Sequence, residues 1–334
     1  MWGEFKSRFG WKTCAFLIEL SFGNNTEKFP LLTLSRRIAL GLSLTYIPWG
    51  PEFPAFFPKE ERETAAAQIA KNLKPFLSRN TMFVRFEPPW ENSVQGTKHT
   101  DEGIASEKRF LKAGFKKSTV TVQPPDTVII NLNNSSDEIL AQMKPKWRYN
   151  ILLAEKKGVK VKKSGIEEIE LFYSLLKETA IRDGIAVHSI EYYKTLFEIC
   201  GNDNEKLHLY TASHEEDLLA AIVVLLRGKN AVYLYGASSN NKRNLMAPYA
   251  LQWKAMKDAK EAGCENYDLF GIPANEDPSH PMAGLYRFKT GFGGQIIHRA
   301  GTWDFPYRKF VFCLFSAAEK IRKKIMNLKK RNNR

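Results

Sequence analysis

The stretch from Val232 to Gly294 constrains the fold more than any other part of the chain. Its first segment, 232–235, is rich in residues that favour strands and is followed by glycine and small residues. A helical pattern comes next, because Pro248 suits a first helical turn and apolar residues recur with helical spacing over 250–259. A second short strand is predicted over 267–270. This order of strand, helix and strand is typical of α/β proteins.

The rest of the chain adds helices and strands in an order that favours a mixed sheet. Strands are predicted over 12–20, 37–47, 82–86, 127–132, 207–212, 218–226, 231–236 and 295–299. Helices are predicted over 59–77, 144–157, 166–182, 189–199 and 306–330. Ser135 and Glu138 form a capping-box pattern at the start of a further short helix. Residues 90–107 are polar and weakly patterned, so we expect a mobile loop there. The fold class that follows is α/β with a mixed sheet.

The C-terminal segment combines an apolar stripe with a high positive charge. Leu314, Ala318, Ile321, Ile325 and Leu328 follow helical spacing, and we expect this stripe to pack on the first domain. The formal net charge is +14, and seven Lys or Arg residues without any acid lie in the last 14 residues. Such a tail is either a solvated end or a contact with an RNA backbone or anionic lipid headgroups.

Common signatures of metal, nucleotide and hydrolase sites are absent from the sequence. It contains neither a phosphate-binding P-loop nor a G-x-S-x-G motif, and its six histidines and four cysteines lack ligand spacing. Gly291, Gly293 and Gly294 follow a predicted helix and precede a strand, the wrong order for a dinucleotide site, so we interpret them as a turn. We therefore predict no cofactor and no metal.

Several features bear on location. The chain is 43% hydrophobic and can bury a large core, yet no apolar run reaches the roughly 18 residues that a spanning helix needs. The first residues, which include Glu4 and Lys6, lack the apolar core of a signal peptide. Scattered cysteines indicate reduced core residues. We expect a cytoplasmic protein, with peripheral contact at the inner face of the cell membrane as an open alternative.

Motifs spread along nearly the whole chain resemble the Fem family of peptidoglycan-bridge aminoacyltransferases. In the constraining stretch they are Tyr233-Leu-Tyr-Gly-Ala-Ser-Ser, Ala247-Pro-Tyr, Tyr267-Asp-Leu-Phe-Gly-Ile and Phe288-Lys289. Further matches are Trp2-Gly-Glu-Phe-Lys6, Phe9-Gly-Trp11, Tyr46-Ile-Pro-Trp-Gly-Pro51, Gln123-Pro-Pro-Asp-Thr127, Gln142-Met-Lys-Pro-Lys-Trp-Arg-Tyr-Asn-Ile151 and Ala154-Glu-Lys-Lys-Gly158. No single motif is decisive, but their shared order is specific.

The resemblance implies two acetyltransferase-like (GNAT-like) domains packed side by side. The first would comprise residues 1–134 together with 302–334, so that the terminal helix returns to it, and the second would comprise residues 135–301. Larger Fem proteins insert a long helical hairpin in the second domain. No charged heptad run of that kind occurs here, so the chain looks like a minimal member of the family.

The resemblance also implies a reaction. The donor would be an aminoacyl-tRNA, and the acceptor would be the side-chain amine of a stem peptide carried by UDP-MurNAc-pentapeptide or lipid II. Aminolysis of an activated ester needs positioning, a deprotonated amine and stabilisation of an oxyanion, and it needs no cofactor. Two other functions stay open: a non-catalytic RNA- or membrane-surface-binding protein on the same scaffold, and an acyltransferase that uses another donor such as acyl-CoA.

The same resemblance assigns roles to individual residues. Phe288 and Lys289 match the functional Phe-Lys pair of the family, in which a lysine cation can stabilise the oxyanion; the alternative is a surface lysine. Glu87 stands where the family often has aspartate, so it would orient the amine or accept its proton, or else serve as a structural turn carboxylate. Lys6 matches a lysine that holds sugar-nucleotide phosphates, and Tyr235 matches a substrate-contacting tyrosine or is a half-buried strand aromatic.

One position departs from the family pattern. The family has Arg-x-x-x-Tyr at a helix start, with the arginine on phosphate, whereas this chain has His188 with Tyr192. Histidine cannot make a bidentate phosphate contact, so the grip on the acceptor phosphate is in doubt.

We expect basic residues in the helix over 144–157 and in the C-terminal segment to contact tRNA or the membrane. These residues are Lys144, Lys146, Arg148, Lys323, Lys324, Lys329 and Lys330. The alternative for the helix that carries the first three is a solvated basic face.

Overall fold

The structure is a computed structural model of the 334-residue chain, and it describes residues 1–94, 100–201 and 206–332. The strands in chain order are β1 Lys12–Phe22, β2 Asn25–Arg37, β3 Ser43–Pro48, β4 Thr81–Glu87, β5 Glu91–Val94, β6 Lys116–Lys117, β7 Asp126–Asn131, β8 Lys160–Ser164, β9 Leu207–His214, β10 Asp217–Arg227, β11 Asn230–Ser238, β12 Asn266–Asp268, β13 Gln295–Arg299 and β14 Trp303–Pro306. The helices are α1 Trp2–Ser7, α2 Arg62–Leu73, α3 Asp101–Lys112, α4 Ser136–Gln142, α5 Pro145–Lys156, α6 Ile169–Asp183, α7 Ile190–Gly201, α8 Ala247–Glu261, α9 Ala283–Thr290 and α10 Lys309–Asn332.

The chain divides into two compact units. The first comprises Met1–Pro125 with Ile297–Arg334, and the second comprises Asp126–Ile296. The predicted boundaries, 134/135 and 301/302, lie a few residues later. The difference arises because β7 pairs with β12 of the second unit, whereas residues that follow Ile296 pair with strands of the first.

The first unit is built on a mixed sheet with strand order β1-β2-β3-β4-β14-β6. β3 and β4 are parallel and the other neighbours are antiparallel, so the sheet is mixed as predicted. Its core includes a stack in which the Phe110 ring lies between Trp90 and Trp303, at centroid distances of 5.6 and 4.3 Å. Stacked aromatic rings of this kind contribute more than their buried area alone.

The second unit contains strands in the order β7-β12-β11-β10-β9-β8. β9, β10 and β11 form the predicted antiparallel meander, and β12 joins β11 in parallel after the crossover through α8. The apolar face of α8, with Leu251, Ala255 and Met256, packs into the core beside the buried side chains of β10. The predicted strand–helix–strand is therefore confirmed.

Several local predictions are confirmed and two are wrong. Ser135 accepts from the Glu138 N–H while the Glu138 carboxylate accepts from the Ser135 N–H, so the capping box is present. Residues 90–107 are not a loop, because β5 and most of α3 lie there; the part of this prediction that falls on 95–99 lies outside the described residues. Strand β2 is not predicted, because the strand predicted over 37–47 covers only its last residue and most of β3.

The terminal helix α10 forms as predicted, but it packs through a different stripe. Phe312 is buried against Phe83, whereas Leu314, Ile321 and Ile325 of the predicted packing stripe are exposed. Helical periodicity identifies an apolar stripe without saying what it faces. Leu314, Ile321 and Ile325 therefore form an exposed apolar surface on this helix.

Candidate functional site

The predicted catalytic lysine is a buried amine in the second unit. Lys289 lies in α9 and its side chain is only 5% exposed, so the alternative of a surface lysine is wrong. Its Nζ donates to the carbonyl oxygens of Gly271 and Phe270 at 3.0 and 3.3 Å. The same atom lies 5.1 Å from the centroid of the Tyr233 ring, within range of a cation–π interaction. An ammonium group has three N–H donors, so within the described part of the chain one remains beyond these two carbonyls.

The carbonyls that face Lys289 are held in place by a short turn after β12. Asp268 Oδ1 accepts from the Phe270 N–H at 2.7 Å, which is a hydrogen bond typical of an Asx turn. Phe270 has a φ of 59°, a left-handed conformation that is unusual for a bulky residue. Such strain persists only where the surroundings enforce it, often at functional sites. The Asp268 carboxylate therefore organises the acceptors of the lysine.

Burial and charge oppose each other at this amine. Burial lowers the pKa of Lys289 from its ordinary range to about 7, while the carboxylate of Asp268 acts in the opposite direction. Removal of an ammonium from water disfavours the charged form, and a nearby anion favours it. The amine is therefore poised to gain or lose a proton near neutral pH, which suits proton transfer better than a permanently charged lysine would.

Phe288 lies beside an aromatic group that connects α9 to α5. Its ring packs edge-on against Tyr249 and Phe292, both with centroids 5.2 Å away. The Trp147 indole donates to the Phe288 carbonyl at 2.9 Å. A Cβ atom at Gly291 would lie 2.1 Å from the Trp147 ring, so the predicted plain turn is also a position where only glycine fits.

These contacts bring the start of the basic helix α5 next to the Phe288–Lys289 pair. The Lys144 N–H donates to the Gly291 carbonyl at 2.9 Å, and the side chains of Lys144 and Lys146 are exposed. Arg148 differs, because its guanidinium donates to the carbonyls of Ala141 and Met143 at the end of α4. At least part of the Arg148 side chain thus stabilises a helix end. The side chains of Lys323, Lys324, Lys329 and Lys330 lie outside the described residues.

The predicted acceptor residues of the second unit form one aromatic cluster. The exposed His188 ring stacks on Tyr192 with a centroid distance of 3.8 Å and an interplanar angle of 13°. Tyr193 lies edge-on to Tyr235 at 5.1 Å. Burial and the neighbouring hydroxyl of Tyr192 raise the pKa of Tyr235, so its phenol stays protonated. Tyr235 is half-buried, in agreement with its structural alternative, and its hydroxyl also forms a hydrogen bond with that of Tyr192.

A β-bulge separates this cluster from the lysine. Val223 pairs with Tyr235 and Val224 pairs with Tyr233, so Leu234 is the extra residue on β11. Directly paired residues share a face and consecutive residues on β10 alternate, so Tyr233 and Tyr235 lie on opposite faces of the sheet. Tyr233 consequently packs with the core under α8 and with Lys289, whereas Tyr235 contacts α7.

The other predicted residues, Lys6 and Glu87, lie in the first unit. Lys6 Nζ is 4.5 Å from the centroid of the Trp2 ring on the same short helix. Glu87 is buried, and its two oxygens accept from the Tyr46 hydroxyl, the Val122 N–H, the Gln123 N–H and the Thr302 hydroxyl. A carboxylate has about four lone-pair sites, and these four donors fill them. This bonding supports the structural alternative, and a role of Glu87 as a proton acceptor stays a prediction.

The sequence by itself does not single out Asp268, Tyr233 and Trp147 as site residues. An aspartate two residues before a phenylalanine after a strand was a signal for the Asx turn. No sequence signal could have shown that Tyr233 or Trp147 contacts α9, because these contacts join residues far apart in the chain. Among the described residues, no cluster of His, Cys, Asp or Glu could hold a metal ion. Within the same ranges, no helix is both long and apolar enough to cross a membrane.

Comparison with known proteins places these residues in a family. The model of the FemAB family matches residues 2–216 and 203–320. A lipid II:glycine glycyltransferase of Staphylococcus epidermidis is 23% identical, with 77% of each chain covered. The enzyme of the same name from Staphylococcus aureus strain COL is also 23% identical, over 91% of this chain and 86% of its own.

A solved structure shares the fold. The crystal structure of FemX superposes with a TM-score of 0.78 at 21% identity and covers 94% of this chain and 93% of its own. The predicted fold class, α/β with mixed sheets, is confirmed, and this solved structure shares it.

Proposed function

Because this chain belongs to the FemAB family, we propose that it transfers an aminoacyl group from aminoacyl-tRNA to the stem-peptide amine of a peptidoglycan precursor. The glycyltransferase names of its relatives support an aminoacyl transfer onto such a precursor. The acceptor would be UDP-MurNAc-pentapeptide or lipid II. The reaction needs no cofactor, because the ester of the donor is already activated.

The observation that carries this proposal is the environment of Lys289. Its Nζ donates to two backbone carbonyls and keeps a third N–H for a reacting oxygen. A donor that is already in place and shielded from water stabilises a developing oxyanion more strongly than solvent does. The aromatic group around Phe288 lies beside this amine, and the exposed Lys144 and Lys146 would contact the phosphates of an RNA end.

The proposed step balances as an aminolysis. The stem-peptide nitrogen forms a bond to the carbonyl carbon of the aminoacyl ester, and the bond from that carbon to the ribose oxygen breaks. The nitrogen loses a proton, and the ribose oxygen gains one. Because the pKa of Lys289 is about 7, its ammonium can donate the proton that the departing oxygen needs, and the neutral amine that this leaves can take up the proton that the attacking nitrogen loses.

The remaining residues would bind the acceptor. Lys6 would hold phosphate, and the hydroxyls of Tyr192 and Tyr235 would contact the precursor. His188, which lies exposed on the Tyr192 ring, replaces the arginine of the family, so phosphate binding here would be weaker. Glu87 has no role in this proposal, since its oxygens are occupied.

A product-mass experiment tests the proposal. The protein is incubated with UDP-MurNAc-pentapeptide or lipid II and charged tRNA, and the Lys289→Met variant serves as the matched control. We expect the acceptor to gain the mass of an amino-acid residue, and we expect RNase treatment of the donor to abolish the gain. Transfer that survives RNase, or that occurs with acyl-CoA instead, would overturn the tRNA donor. Absence of any transfer, with both substrates bound, would favour a non-catalytic binding protein.

A further inference from the structure

Helix α10 carries two apolar stripes on opposite sides, and only one of them is covered by the first unit. Phe312 and Phe315 pack against the Phe83 ring, with centroid distances of 5.2 and 5.3 Å. One turn further, the Glu319 carboxylate accepts from Arg85 at 3.2 Å. Arg85 is buried and also forms a bidentate pair with Asp304 at 2.8 and 2.9 Å. These contacts determine which side of the helix faces the unit.

The opposite stripe is long and apolar. Residues two apart on an α-helix point to nearly opposite sides, so Phe310 and Leu314 point away from Phe312. Phe310 is 76% exposed, Leu314 59% and Ile321 60%, and Ile325 continues the row. Single exposed apolar residues are common on proteins, but a continuous row of four along one helix marks an interaction surface.

Positive charge surrounds this stripe. Arg308, Lys309, Lys320 and Arg322 are exposed, and the sequence beyond them is rich in Lys and Arg. Glu319 is the one acid in the sequence from Arg308 to the end, and it faces inward to Arg85. The outward side therefore combines apolar and cationic residues, a pattern typical of helices that lie in a membrane interface.

A second exposed apolar side chain lies on the adjacent β2–β3 connection. Leu40 is 94% exposed and has a φ of 60°, which is unusual for leucine. The exposed Arg37 lies three residues before Leu40. Ile38 and Leu42, on either side of Leu40, pack in the same small apolar cluster as Phe312. The connection and the helix thus share one core cluster, and each presents apolar and basic residues outside it.

We propose that the exposed stripe of α10, together with Leu40, docks on the surface of an anionic lipid bilayer. Phe310, Leu314, Ile321 and Leu40 would enter the boundary between headgroups and acyl chains, and the basic residues would contact anionic headgroups. An RNA backbone would use the cations but would gain little from a row of aliphatic side chains, so the apolar stripe favours lipid. The docking is independent of the proposed transfer reaction, because it uses none of the residues around Lys289.

Vesicle binding of the full chain tests this surface. The probes are vesicles of phosphatidylcholine with phosphatidylglycerol and vesicles of phosphatidylcholine alone, and sedimentation measures the bound fraction. The variant Leu314→Glu/Ile321→Glu should bind the anionic vesicles at least about tenfold more weakly, because burial of even one such side chain is worth about that factor. The matched control, Ile181→Glu, changes an exposed apolar residue of the second unit and should bind as the wild type does.

The charge component has its own variant. Lys320→Gln/Arg322→Gln should reduce the preference for anionic vesicles while the apolar stripe stays intact, and high salt should have the same effect on the wild type. All variants change exposed side chains, and thermal melting verifies that they fold. Equal vesicle binding by the Leu314→Glu/Ile321→Glu variant and the wild type would overturn the proposal. Loss of tRNA binding by the same variant, with vesicle binding kept, would also overturn it, because the surface would then be a contact for RNA.

Discussion

The Tyr233 hydroxyl lies where a side chain at Gly236 would have to be. A Cβ atom built on Gly236 would be 1.8 Å from that hydroxyl oxygen and 2.7 Å from the ring carbon that carries it. The Tyr233 ring in turn lies 5.1 Å from the Lys289 Nζ. A glycine on β11 therefore allows the tyrosine to lie along the strand, where it forms part of the surroundings of the buried amine.

Replacement of this glycine tests the packing. Gly236→Ala should destabilise the protein by about 1–3 kcal/mol, because the new methyl group forces the Tyr233 ring out of its place. Turnover should fall with it. Thermal melting measures the first effect, and Gly284→Ala is the control, since it lies in helix α9 with open space around its Cβ position. A normal melting temperature for Gly236→Ala would show that the ring can move freely.

Loss of the buried amine should affect the chemical step. Lys289→Met keeps an unbranched chain and removes the donor, so kcat and kcat/KM should fall together by about 10² or more. Lys163→Met, at an exposed lysine on β8, should leave both unchanged. A change confined to KM would make Lys289 a binder of the ground state.

The wild type and the Lys289→Met variant should differ in how their rates depend on pH. Below pH 7 the rate should rise with pH as the acceptor amine, with an ordinary pKa of about 10.4, loses its proton. Above about pH 7 the Lys289 ammonium also deprotonates, so the two trends oppose each other and the rate should level off. In Lys289→Met the residual rate should continue to rise through this range. A wild-type profile without a break near pH 7 would contradict the role of the ammonium.

Asp268 should act as a positioning residue through this amine. Asp268→Asn retains an oxygen that can accept from the Phe270 N–H, but it removes the negative charge that favours the ammonium. The pKa of Lys289 should therefore fall, and the break in the pH–rate profile should move to lower pH. A merely structural role would lower stability and leave the break in place, so the profile and a melting curve together distinguish the two.

Glu87 should matter for stability rather than for turnover. Glu87→Gln replaces one accepting oxygen with an NH₂ group, which opposes two of the four donors around it. Each buried donor left without an acceptor costs about 1–3 kcal/mol. The melting temperature should drop, and kcat per folded molecule should stay near that of the wild type. Normal melting with a lost kcat would restore the catalytic interpretation.

His188→Arg should tighten binding of a UDP-linked acceptor. The position is exposed and lies on the Tyr192 ring, so a guanidinium can stack there and still reach a phosphate. One charge-assisted contact is worth about tenfold in affinity, and calorimetry would measure it. His188→Gln, which adds no charge, is the control. Unchanged binding in a normally melting arginine variant would place the phosphate elsewhere.

Local sequence determined much of the secondary structure. The capping box at Ser135, the proline-started helices α5 and α8, and the meander β9–β11 all follow from short-range patterns, because the interactions that favour them lie within a few residues. The order of the motifs was also sufficient to indicate the family that the comparison then showed.

Tertiary contacts decided the details of the site. Alternation along a strand predicts that Tyr233 and Tyr235 share a face, but the bulge at Leu234 separates them, and only the pairing with β10 reveals it. The carbonyls of Phe270 and Gly271 lower the cost of burying Lys289, and no pattern around Lys289 indicates that they are near. The bonding of Glu87 depends on Tyr46 and Thr302, which are far away in the chain.

Helix α10 shows the same division most clearly. Its sequence predicted a basic helix with an apolar stripe, because periodicity and charge are local properties. Which stripe is buried was decided by Phe83 and Arg85, more than two hundred residues earlier in the sequence, which bind Phe312 and Glu319. Whether a side chain is buried depends on the residues that pack against it. The local sequence pattern of a helix does not identify those residues when they are far away in the chain.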